Sequence, residues 1–147
     1  MKERVKWKQV EPDAYSAMAS LEKYLAKTEL TAIQKNLVKI RASQINGCSY
    51  CIDMHIKEAI EAGVNAQRLF LISAWRDTDF FTEEERVILA ITEEVTLISN
   101  RLSDLTYNKA VVFFGEKFLM QLIMAVIVIN AWNRIGVATE MQPAKSF

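Results

Sequence analysis

The sequence predicts an all-α, single-domain bundle of about six or seven helices spanning residues 1–147. Three observations predict it. The 147 residues fall within the ~100–200 of one domain. Only 4 Gly and 2 Pro punctuate the chain, too few for the tight turns that many short strands need. Apolar residues recur at three- and four-residue spacing, with no sustained alternation. A composition of 51% hydrophobic and 24% charged residues is that of a folded chain rather than a disordered one.

The elements follow in order. Pro12 suits a first helical turn, and Ala14, Met18, Leu21 and Leu25 then mark a helix over 12–26. Thr31 caps a second helix whose face carries Ile33, Leu37 and Ile40, ending at Asn46-Gly47. A third runs from about Cys48 to Ala62, where Gly63 stops it. Asn65 caps a short fourth helix carrying Leu69, Phe70 and Ile72. Thr82 with Glu85 forms a capping box for a fifth, striped by Val87, Ile88, Ile91, Val95 and Ile98 to about Ser99. Ser103 caps a sixth to about Phe114, Gly115 breaks it, and a seventh runs from Glu116 to about Ala138.

Charge excludes several classes of partner. The 18 basic and 18 acidic residues cancel, so no net field draws in nucleic acid or an anionic membrane. The basic start, Met1 to Val10, is followed by no apolar run of signal-peptide length, and a cytoplasmic location is expected. The uncharged stretch between Lys117 and Arg134 is shorter than the ~20 residues of a bilayer span. It reads as a helix buried in a core or between subunits, and its richness from Phe118 to Ile129 predicts a homo-oligomer.

The chain's two cysteines and its one histidine all lie in Cys48-Ser49-Tyr50-Cys51-Ile52-Asp53-Met54-His55. On a helix turning about 100° per residue, Cys48, Cys51 and His55 share an arc of about 60°, while Ser49 and Tyr50 point elsewhere. Tyr50 reads as packing. Cys48 stands at a helix start, where free N–H groups and the dipole favour an anion and lower a thiol's pKa. His55 lies one turn beyond Cys51, facing it as the local acid/base. A thiolate that attacks a peroxide becomes a sulfenic acid, which a second thiol three residues away converts to a disulfide. A permanent structural bond is disfavoured, since so short a loop gains little chain entropy. Zinc needs four ligands, and no further Cys or His exists to join the three, so neither a metal nor another cofactor is expected. Trp75, Trp132 and Phe113-Phe114 read as core or subunit-contact aromatics, and Asn130, Asn133 and Arg134 as structural polar groups needing partners.

The segment from Arg41 to His55, with Trp75-Arg76, Phe80 to Arg86 and Ile129 to Arg134, resembles the core motif of the AhpD-like, carboxymuconolactone decarboxylase superfamily. The resemblance covers most of the chain and implies an all-helical fold, a trimer or hexamer, and thiol peroxidase activity. It implies that Cys51 attacks the hydroperoxide, Cys48 resolves the sulfenate and His55 serves the proton relay. Carboxymuconolactone decarboxylase itself typically lacks the cysteine pair, which argues against lactone decarboxylation here. Asn36 stands where the AhpD pattern has a relay glutamate, twelve residues before the first cysteine, and Tyr50 where the best-known members have a second histidine. Asn36 can hold a water but cannot titrate, and loss of a positioned acid/base typically costs ~10²–10⁴ in rate. Glu93, or its neighbour Glu94, is the expected replacement.

The expected function is therefore reduction of small hydroperoxides through a Cys48–Cys51 disulfide, with a thiol or dithiol reductant returning the pair. The alternative is a redox sensor or general disulfide oxidoreductase with little peroxidase turnover.

Overall fold

The computed structural model describes residues 2–145. Its helices are α1 (Trp7–Val10), α2 (Pro12–Leu25), α3 (Ala32–Asn46), α4 (Ser49–Glu61), α5 (Ala66–Phe70), α6 (Glu83–Thr96) and α7 (Asp104–Ala138), with 3₁₀ turns at Ile72–Asp77 and Ile98–Asn100. Among the described residues there is no strand. The expected caps form: the Thr31 and Thr82 hydroxyls accept from the N–H groups of Gln34 and Glu85, each completing a capping box, and Asn65 and Ser103 cap α5 and α7. At Gly115 (φ 78°, ψ 165°) α7 is interrupted, a conformation that a side chain strongly disfavours.

Three boundaries differ from the sequence expectation. α1 is new: its single turn is too short to show a periodicity, and Trp7 is held by aromatic packing. The fourth helix is split at Leu71, where α5 ends and a 3₁₀ turn takes over, and Ala74 leaves helical geometry inside that turn. The fifth ends at Thr96 rather than near Ser99, with Ile98 continuing in 3₁₀ form.

α3 is the central element, packed against α4, α6 and α7. Its Val38 and Ala42 join Val87, Ile88, Ile91, Leu122, Val126 and Ile129 in one core. Its Leu37 and Ile40 join Ala59, Leu69, Ile72, Trp75 and Leu89 in another. Each fully buried Leu, Ile or Val contributes about 1.5–3 kcal/mol, so α3 is fixed on both faces, and its end, where the cysteine turn begins, is held in place.

Candidate active site

α3 ends in a tight stop that launches α4. Gly47 adopts the left-handed conformation (φ 68°), its N–H donates to the Gln44 carbonyl, and the Cys48 N–H donates to the Ser43 carbonyl. This paired closure is a Schellman arrangement, which needs a residue comfortable at positive φ. Cys48 is then extended (φ −86°, ψ 92°) as the residue before α4. Cys51 and His55 lie one turn apart on the buried face of α4, as their spacing predicts.

Both thiols are free and nearly inaccessible, at 2% and 3% exposure. They pack against Gly136 of α7: a Cβ there would lie 2.9 Å from Cys48 Sγ and 3.8 Å from Cys51 Sγ. The Cys51 S–H donates to the Cys48 sulfur, and with the N–H groups of Cys51 and Tyr50 this holds the Cys48 thiol down at about 6 despite its burial. The Cys51 thiol is pushed far above its ordinary range by that same donation, by burial and by the adjacent negative charge. The pairing therefore favours a thiolate on Cys48 over one on Cys51. The Asn133 side chain favours the thiolate form of both. Fully buried, Asn133 donates to Ser43 Oγ (2.9 Å) and accepts from Asn46 Nδ2 (3.0 Å), while Asn46 also donates to Asn130 Oδ1 (2.9 Å). Asn130 donates in turn to Thr96 Oγ1 (3.0 Å). These buried amides are satisfied and locked.

A cavity of about 340 Å³ opens on Cys51 and His55. Trp7, Tyr15 and Trp132 form one aromatic cluster on its wall, with ring centroids 5.2–6.0 Å apart. Trp132 Nε1 donates to Glu22 (3.1 Å), whose other oxygen accepts from Lys39 Nζ (3.2 Å). His55 Nδ1 lies 2.7 Å from Glu58 Oε2. With that carboxylate ionised, Nδ1–H is the donor and Nε2 is left as a base. Burial lowers the His55 pKa, partly opposed by Glu58, so the ring is neutral at pH 7.

Of the residues the sequence singled out, the structure brings Cys48, Cys51 and His55 together in one turn and its helix. Asn36 is buried on α3 and does not line the cavity, whereas Lys39, one turn on, does. Glu93 lies elsewhere: burial would raise its pKa, but Arg76, Trp75 and Arg41 hold it below the usual carboxylate range. Its oxygens accept from Arg41 Nε (2.7 Å), Trp75 Nε1 (2.9 Å) and Arg76, so it is a structural anion. Glu94 holds the start of α7, accepting from the Ser103 N–H (2.7 Å) and the Thr106 hydroxyl. The cavity's own carboxylates are Glu22 and Glu58. Glu58 carried a sequence signal, lying three residues after His55 and hence on its face; Glu22 comes from a helix distant in sequence and carried none. Trp132 and Tyr50, read as packing, line the cavity, because α7 crosses beside the start of α4. Among the described residues, no group of three or more His, Cys, Asp or Glu could hold a metal ion.

Comparison with known proteins agrees with the all-helical fold. The carboxymuconolactone decarboxylase family model matches residues 12–94, more than half of the chain. An uncharacterised protein of Bacillus subtilis, YdfG, is 36% identical over 94% of this chain and 95% of its own. A crystal structure from Agrobacterium tumefaciens, ATU0492, of unknown function and provisionally assigned as the antioxidant defence protein AhpD, superposes with a TM-score of 0.96. It is 34% identical over 99% of this chain and 100% of that one. The debrominase Bmp8 shares the fold, with a TM-score of 0.83 at 20% identity over 92% of this chain and 74% of that one. The matched residues take in the Cys48 turn and all of α4, and with an AhpD-like fold around them the chain belongs to the carboxymuconolactone decarboxylase family.

Proposed function

We propose that this protein is a cytoplasmic thiol-dependent peroxidase that reduces small organic hydroperoxides through a Cys48–Cys51 disulfide. The observation that carries the reading is the division of labour between the sulfurs: Cys51 lines a cavity with a neutral histidine, while a ready thiolate, Cys48, is hydrogen-bonded to it. His55 Nε2 takes the Cys51 proton as that sulfur attacks the outer peroxide oxygen. The O–O bond breaks, His55 hands the proton to the departing alkoxide, and Cys51 is left as a sulfenic acid beside an alcohol. The Cys48 thiolate then attacks the Cys51 sulfur, forming the disulfide and expelling hydroxide, which solvent protonates. Glu58 holds the imidazole in the needed tautomer, and an aromatic wall suits the organic part of the substrate. A dithiol that must be reduced in every cycle works in a reducing compartment.

The expected result is peroxide-dependent loss of two thiols per chain, abolished by Cys51→Ser. Thiols that react with hydroperoxide no faster than those of the unfolded chain refute the reading. Oxidation without repeated turnover on added dithiol supports a redox sensor instead. The proposal includes a homo-oligomer, supported by an open apolar groove along α6 and α7 lined by Val95, Ile98, Leu102, Ile123 and Ile127.

A further inference from the structure

Among the described residues, Lys39 of α3 is the one lysine or arginine that lines the cavity on Cys51 and His55. Its ammonium is held in place: Nζ donates to Glu22 Oε2 (3.2 Å), and Glu22 Oε1 accepts from Trp132 Nε1 (3.1 Å). The Lys39 side chain is only 14% exposed, so its charge acts from a largely buried wall, where it is stronger than in water. An ammonium carries three N–H donors, and Glu22 takes one of them. The charge also reaches the imidazole. Burial lowers the His55 pKa most, the Glu58 hydrogen bond opposes it, and Lys39 lowers it further against the charges of Glu58 and Glu22. We infer that Lys39 is a further catalytic residue of this site, its ammonium donating to the alkoxide oxygen that departs when Cys51 attacks a hydroperoxide. The inference rests on the peroxidase reading proposed above.

The chemistry shows where such a donor acts. As the Cys51 sulfur bonds to the outer oxygen and the O–O bond breaks, the bonding pair leaves on the inner oxygen. Negative charge grows there while the proton taken from Cys51 is still on His55 Nε2. The sulfur is oxidised by two electrons and the peroxide reduced by two; His55 then returns the proton to give the alcohol, and Lys39 keeps all of its own. To collect that proton the oxygen must lie within hydrogen-bond reach of Nε2, and so in the part of the cavity where the Lys39 charge is felt. A fixed cationic donor at that place stabilises the transition state more than the substrate, whose oxygens are uncharged. The cavity's carboxylates cannot do this, since Glu22 and Glu58 both repel an alkoxide. Each is also engaged, Glu22 by Lys39 and Trp132 and Glu58 by His55 Nδ1. Lys39 stands one turn after Asn36 on α3, so that helix does supply the cavity with a charge, but one that holds an anion rather than relays a proton.

The test varies the leaving group. Oxidation of the reduced protein is followed by stopped-flow mixing with tert-butyl hydroperoxide, which expels a strongly basic alkoxide, and with peracetic acid, whose acetate leaves without help. Lys39→Met keeps the length of the side chain and removes its charge. It is expected to slow the first reaction by about 10–100-fold, less than a donor lost from a fully closed oxyanion site because Lys39 keeps some contact with solvent. The second slows by less than about threefold. Lys39→Gln, which leaves Glu22 a donor, guards against a folding defect and is expected to show the same selective loss, while Lys39→Arg keeps both rates within about fivefold of the native chain. Equal slowing with the two oxidants, or an unchanged rate with tert-butyl hydroperoxide in both charge-removing variants, overturns the inference and leaves the peroxidase reading standing. Native thiols inert to both oxidants overturn that reading and the inference together.

Discussion

Gly136→Ala gives the sharpest test of how α7 shapes the dithiol. The added methyl would lie 2.9 Å from Cys48 Sγ and 3.8 Å from Cys51 Sγ, whereas non-bonded atoms prefer about 3.5–4.0 Å. The Cys48 sulfur must therefore retreat by roughly 0.6–1 Å, away from the Cys51 S–H and the N–H groups of α4 that hold its pKa at about 6. Gly136 has ordinary helical geometry, so alanine returns about 1 kcal/mol of helix propensity against the ~1–3 kcal/mol that overpacking typically costs. Net stability then falls by no more than about 2 kcal/mol, and the variant folds. The chemical effect is larger. With a pKa of about 6, roughly 90% of Cys48 is thiolate at pH 7. If displacement raises the pKa to ~8, only about 10% remains ionised, and trapping of the Cys51 sulfenate slows by about tenfold. The assay is the rate of Cys48 alkylation against pH with both cysteines present, the modified residue located by mass spectrometry, comparing Gly136 with alanine, alongside disulfide formation in the same pair. An unchanged alkylation midpoint together with unchanged disulfide formation refutes the argument that Gly136 sets the thiolate's position.

Two further predictions test the relay. Glu58→Gln leaves His55 Nδ1 without its anionic partner and lowers the ring's pKa further, since the carboxylate raises it; peroxide oxidation of Cys51 slows by about 10–100-fold, with the acid limb of its pH profile moved down, and an unaltered profile refutes the role. Glu93→Gln leaves the oxidation rate within about twofold, because Glu93 does not line the cavity, but destabilises the fold by about 1–3 kcal/mol through the unpaired Arg41 and Trp75 donors; loss of peroxide reactivity in a variant that stays folded returns Glu93 to the relay.

How much was legible in the sequence depended on the range of the interaction that decides each feature. The helices with caps at Thr31, Asn65, Thr82 and Ser103 were read correctly because capping and three-to-four periodicity act within one or two turns. The Cys48-Cys51-His55 face was legible for the same reason, since the helical repeat alone aligns them. The lowered pKa of Cys48 was also foreseen from the helix start, although its largest cause, the Cys51 S–H, is a pairing of side chains. What only the tertiary structure decided is which groups from other helices meet that face. Asn36 and Glu93 were chosen by pattern, yet the cavity takes Lys39 from α3, Glu22 from α2 and Trp132 from α7, while Glu93 is held by Arg41, Trp75 and Arg76. Gly136, 85 residues beyond Cys51, shows no local signal at all. Its importance comes from the close approach of two helices, and helix packing is settled by burial summed over the whole core, a quantity that no short stretch of sequence contains.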